Sequence, residues 1–144
     1  MVPNLGYYVQ SINDVVTETE TIGEKMHPGY EKIRKAIDDN DLKSISADEL
    51  SEIAKLFKEG TKSYQLLLNR ISKLRAPAKV MGIHKKFEKA YINYVAGCEE
   101  MISSIEAADG VDQELFNASE QKQDEASDII MFTIEKMSNS LLKK

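Results

Sequence analysis

The chain has 144 residues, 42% of them hydrophobic and 30% charged, with a net charge of -5; this is the size and composition of one folded domain, not of a disordered segment. One Cys excludes an internal disulfide and a cysteine-based zinc site, two His leave little for a histidine-rich metal centre, and 7 Gly with 3 Pro are too few for many short strands. The acidic balance, with a pI of about 5.1, argues against nucleic acid as the main partner, and no apolar run approaches the roughly 20 residues that span a bilayer.

The first segment carries an apolar stripe at Ile12, Val15, Val16, Thr19, Ile22 and Met26, followed by His27-Pro28-Gly29. Tyr30, Ile33 and Ile37 then keep the phase of that stripe. An interior proline removes a hydrogen bond and costs about 3 kcal/mol, but a loop would have no reason to preserve phase. The pattern predicts one helix, kinked near Pro28 and ending at Asp38. In the second segment Leu50, Ile53, Phe57, Gly60, Tyr64, Leu67, Ile71 and Leu74 alternate steps of three and four, a heptad stripe. Ser46-Ala47-Asp48-Glu49 in front of it fits a capping box.

The third helix is expected to start near Pro77, with Val80, His84, Phe87, Tyr91, Tyr94, Cys98, Met101 and Ile105 as its stripe and Asp109-Gly110 as its stop. The fourth runs from about Asp112 to Leu142 along Leu115, Ser119, Lys122, Ala126, Ile129, Thr133, Met137 and Leu141, flanked by Phe116, Ile130 and Ile134. Four segments of similar length with short turns predict an all-α, up-down-up-down four-helix bundle of long helices, one domain over residues 1–144.

Bundles of this kind often hold metals, which takes acids and histidines at set helical spacings. Glu24 and His27 form a single Glu-x-x-His unit where di-iron bundles need two. His84 lies near the other end of the expected bundle from His27. Asp38 to Glu49 has the length of a calcium loop, but Leu42 replaces an oxygen ligand and Lys43 replaces the glycine of the sharp turn. No nucleophile elbow, phosphate loop or dinucleotide fingerprint is present. Cys98 lies on an apolar stripe, the usual place of an inert packing thiol. The expectation is therefore no metal, no cofactor and no catalytic residues. Tyr64, Tyr91 and Tyr94 fall on inward stripes and need hydroxyl partners, so they are candidate lining residues of a partly polar pocket.

Charge is unevenly distributed. Residues 70–89 hold seven bases against Glu88 alone, and residues 109–128 hold seven acids against Lys122 alone. Acids at helix starts and bases at helix ends complement the helix dipole, but Lys79, Lys85, Lys86 and Lys89 crowd the start of the third helix, where positive charge is disfavoured. Together with Arg75 they form a candidate basic tip for a protein or an anionic surface. Lys143 and Lys144 are placed at the same end, and Asp38, Asp39 and Asp41 at the acidic one.

In size and helical pattern the chain loosely resembles small helical proteins of Gram-positive bacterial secretion systems. It lacks their Trp-x-Gly turn and Tyr-x-x-x-Asp/Glu tail, so no residue role is carried over. The leading expectation is a non-enzymatic interaction or scaffold bundle, monomeric or homodimeric. The alternatives are a small-molecule-binding bundle with a tyrosine-lined pocket, or a cell-surface helical protein. The start at Met1, with no basic or apolar leader, implies the cytoplasm unless a signal was trimmed.

Overall fold

The computed structural model describes residues 5–107 and 110–142. It contains four helices: α1 (Leu5–Asp38), α2 (Ala47–Lys73), α3 (Met81–Ile105) and α4 (Gln113–Leu142). No strand occurs among the described residues. Ion pairs and hydrogen bonds between helices set their directions. Glu18–Arg70 and Lys32–Glu49 make α1 antiparallel to α2, and Ser72–Glu88 and Gln65–Glu99 make α2 antiparallel to α3. Lys86 over Phe132 and Lys122–Glu100 do the same for α3 and α4. Tyr8–Met137 and Arg34–Glu120 close the ring between α1 and α4. The result is the up-down-up-down bundle. The connection from α2 to α3 marks one end, and the other two connections mark the opposite end. Asp109, Lys143 and Lys144 lie outside the described residues.

Local chemistry sets the helix boundaries. Ser46 accepts a hydrogen bond from the Glu49 backbone at 3.1 Å, and Asp112 does the same for Leu115 at 3.0 Å, each satisfying a free donor in a first turn. α1 runs through Pro28 without interruption. Burial on both sides of the ring holds it: Ile12 and Val15 before, Ile33 and Ile37 after. Pro77 does not open α3 directly. Residues 74–77 form a loop, and a 3-10 turn, Ala78–Val80, leads into Met81.

The stripes of α2 and α3 are buried or half-buried along their length. α4 buries Ser119, Ala126, Thr133 and Met137 of the expected stripe, with Leu115, Lys122 and Leu141 half-buried. The flanking Phe116 is buried more deeply than Leu115, and Ile129 is exposed. The buried stripe faces α3 through a seam of small residues. Ala90, Gly97 and Ser104 of α3 and Ser119, Ala126 and Thr133 of α4 are all buried, and a Cβ on Gly97 would lie 2.8 Å from Gln123 Cγ and 3.3 Å from the Ser119 carbonyl. The hydroxyls of Ser104, Ser119 and Thr133 each donate to the carbonyl three residues earlier in their own helix. They therefore fill a tight interface without an unmet hydrogen bond. α3 and α4 consequently share the most extensive contact in the molecule, whereas the backbones of α1 and α4 hardly approach one another.

Candidate functional site

The loose seam between α1 and α4 opens into a cavity of about 270 Å³ at mid-height. Its lining comes from all four helices: Gly23, Met26, His27 and Tyr30 of α1; Phe57, Thr61 and Tyr64 of α2; Tyr94, Cys98 and Met101 of α3; Glu120, Gln123 and Asp124 of α4. Phe57, Thr61, Tyr64, Cys98 and Met101 are buried and form the floor. His27 and Asp124 are exposed and, with the half-buried Tyr30, Glu120 and Gln123, form the mouth. Two glycines shape the space. A Cβ on Gly23 would meet the Tyr64 hydroxyl at 3.4 Å, and Gly60 gives up its side-chain volume to Met26, whose sulfur would lie 2.3 Å from such a Cβ.

Toward the acidic end the seam is latched by Arg34. Its Nη1 donates to Glu120 Oε2 at 2.9 Å and Asn117 Oδ1 at 2.8 Å, its Nη2 donates to Asp38 at 2.9 Å, and its guanidinium lies over the Phe116 ring. Tyr30 stacks on Phe116 beside it, with 6.0 Å between ring centroids. Toward the basic end Tyr8 closes the seam. The Ile71 carbonyl only accepts, so His84 must donate to it from Nε2, at 3.1 Å; Nδ1 is then left to accept from the Tyr8 hydroxyl at 2.8 Å. His84 is thus a buried strut that binds the end of α2 to the start of α1.

The polar atoms of the floor are unevenly satisfied. The Tyr64 and Tyr94 hydroxyls lie 3.5 Å apart, at the outer limit of a hydrogen bond. Thr61 is only 4% exposed, and its Oγ1 has no hydrogen-bond partner, in contrast to the self-satisfied hydroxyls of the α3–α4 seam. Burial, reinforced by the neighbouring Tyr94, pushes the Tyr64 phenol far above its ordinary range, and burial pushes Tyr94 up to about 12. Burial, with a smaller contribution from Glu99, pushes the Cys98 thiol up to about 12, which leaves it protonated and unreactive at neutral pH. Burial, then the charge of Asp124, raises the Glu120 carboxyl above the usual glutamate range despite the Arg34 contact.

Of the three tyrosines singled out in the sequence, Tyr64 and Tyr94 line this cavity. Tyr91 does not: its hydroxyl donates to Thr19 Oγ1 at 2.8 Å, and Thr19 donates onward to the Val15 carbonyl. Thr61 was missed because a lone threonine on a helix gives no signal of whether its hydroxyl will find a carbonyl. The basic side chains Arg75, Lys79, Lys85, Lys86 and Lys89 are all exposed at the end opposite the acidic turns. Lys86 is engaged, its Nζ lying 5.3 Å from the centre of the Phe132 ring. Arg75, Lys85 and Lys89 form no ion pair among the described residues.

Among the described residues no three His, Cys, Asp or Glu side chains gather in a way that could hold a metal. His27 pairs with Glu31, and Glu49, the last position of the calcium-like frame, pairs with Lys32. No described helix is long and apolar enough to cross a membrane. No protein-family model matches the sequence, and comparison with curated proteins and with solved structures gave no match.

Proposed function

We propose that this chain is a non-enzymatic binding bundle whose ligand is a small molecule held in the cavity between α1 and α4. The observation that carries this reading is the Thr61 hydroxyl, buried at the floor without a partner. Leaving a buried polar group unpaired costs about 1–3 kcal/mol, and a ligand or a bound water removes that cost. The volume sits near the small end of ligand sites, and the lining is mainly apolar and aromatic with a few polar groups, the usual make-up of such sites. The basic tip is remote from this cavity and belongs to a separate reading.

The test is a fragment titration followed by methionine-methyl NMR. Met26 and Met101 line the cavity, whereas Met81 and Met131 are exposed elsewhere. A bound fragment is expected to shift the first pair and leave the second unmoved. A broad fragment set that moves neither Met26 nor Met101 overturns the proposal.

A second reading, an anionic macromolecular surface docking at the basic end, is favoured by one observation. Phe132, half-exposed, lies between Lys86 Nζ at 5.3 Å and Lys136 Nζ at 5.6 Å, next to Met131, which is 68% exposed. Apolar side chains rimmed by lysines suit an anionic partner. Cosedimentation with anionic but not zwitterionic vesicles, lost in Lys85→Glu/Lys89→Glu, would support it. Equal sedimentation with both vesicle types would remove it.

A further inference from the structure

We infer that the cavity takes a small amine, with a flat apolar body and a hydroxyl or other hydrogen-bonding group at the far end; this deepens, and rests on, the reading of the cavity as a ligand site. The two ends of the cavity differ in which polar groups remain available.

At the mouth most polar groups are already engaged. The Gln123 amide donates to the Gly97 carbonyl at 3.3 Å, and its oxygen faces the Cys98 thiol. His27 is paired with Glu31, and one Glu120 oxygen is held by Arg34. Among the carboxylates and the imidazole of the mouth, Asp124 alone has no ion pair or hydrogen bond with the described residues, although its charge is felt by Tyr94 and Glu120. The Arg34 guanidinium offsets Glu120, so the uncompensated charge at the mouth is the Asp124 carboxylate. An incoming anion would meet that charge with no free cation beside it, and a neutral hydroxyl would donate a hydrogen bond to it without the attraction between opposite charges. An ammonium would gain a charge-assisted hydrogen bond and a like-charge contact relieved between Asp124 and Glu120.

The walls suit the body of such a ligand. Tyr64 and Tyr94 form an edge-on pair with centroids 5.2 Å apart, and Met26, Phe57 and Met101 complete an aromatic and thioether sleeve. Tyrosine faces attract cations, and thioethers pack favourably on rings. At the floor stands Thr61, whose free hydroxyl both donates and accepts. An unpaired anion outside and an unpaired hydroxyl inside, separated by an apolar sleeve, define a ligand polar at both ends and cationic at one. The volume limits it to about one ring with a short chain, smaller than a peptide or a nucleotide.

Four probes share one body and separate the two ends: tyramine, phenethylamine, tyrosol and phloretate, which is the carboxylate analogue. Calorimetric titration is expected to rank tyramine first, with tyrosol about tenfold weaker and phloretate weaker still. Asp124→Asn, at an exposed position, should weaken tyramine about tenfold, to near the level of tyrosol, and change tyrosol by no more than about threefold. Thr61→Val should weaken tyramine several-fold and leave phenethylamine unchanged. Tyrosol or phloretate binding as tightly as tyramine overturns the amine assignment and leaves the cavity a ligand site. If none of the four binds while other fragments shift the Met26 and Met101 methyls, the inference again fails alone. If those methyls stay silent to every fragment, the cavity reading fails with it.

Discussion

Thr61 and Thr133 show how one residue type takes opposite parts in the same fold. Both are buried on helices, but Thr133 donates to the Ile130 carbonyl at 2.8 Å, whereas Thr61 donates to nothing. Valine has nearly the shape of threonine without its hydroxyl. Thr61→Val is therefore expected to raise stability by about 1 kcal/mol in the ligand-free protein, read from denaturant melts, while Thr133→Val loses a comparable amount. A loss at Thr61 would mean its hydroxyl is satisfied in solution. His84 is the converse case, a buried imidazole with both nitrogens in use. Tyr8→Phe leaves Nδ1 unpaired and should cost about 1–3 kcal/mol; an unchanged melting temperature would show that the strut carries no load. Cys98, its thiol pushed up to about 12 by burial, should react with alkylating reagents far more slowly in the folded protein than in denaturant. Equal rates would contradict its burial.

At the scale of elements, the small-residue seam decides where the molecule is tight and where it is loose. Gly97→Ala sets a methyl against Gln123 and the Ser119 carbonyl, backbone that cannot move away cheaply. It should cost about 1–3 kcal/mol. Gly82→Ala meets nothing within 4 Å and should be neutral or stabilising by up to about 1 kcal/mol. Equal effects at the two positions in chemical denaturation would show that α3 and α4 do not approach so closely. The same seam explains which features could be read before the fold was known. The heptads of α2 and α3, the cap at Ser46, the start of α4 near Asp112 and the preserved phase across Pro28 are local patterns, and they set the helices. The face of α4 was legible too: Ser119, Ala126, Thr133 and Met137 of its stripe are buried and only Ile129 is exposed, but small residues on a stripe do not announce how closely a neighbouring helix will approach them. The cavity was only half legible. Tyr64 and Tyr94 were on inward stripes, but which pair of helices would separate depends on the closeness of another pair. That is a property of the assembled bundle, not of any one segment.

For the whole molecule, four tyrosines couple stability to alkaline pH. Burial raises Tyr8 and Tyr94 to about 12, and Tyr64 and Tyr91 higher still, against about 10 for an unfolded phenol. The folded state therefore holds protons that the unfolded chain releases. Their contribution is complete below about pH 10; that of Tyr8 and Tyr94 is lost as pH rises through about 12, and that of Tyr64 and Tyr91 at higher pH. Tyrosinate absorbance from these residues should appear together with loss of helical circular dichroism. Ionisation of all the tyrosines near pH 10 with the helices intact would contradict that coupling. The two charged ends and the mid-height cavity are separate features of one bundle, so charge reversal at Lys85 and Lys89 should leave ligand binding in the cavity unchanged.

The central feature is the space between α1 and α4, and a high-resolution crystal structure with and without tyramine tests it most directly. The predicted result is an open cavity from Asp124 to Thr61, holding water when free and tyramine when soaked, with Thr61 Oγ1 bonded to the occupant. The contradicting result is α1 closed onto α4, with Met26 and Met101 filling the space and the Thr61 hydroxyl donating to the Phe57 carbonyl.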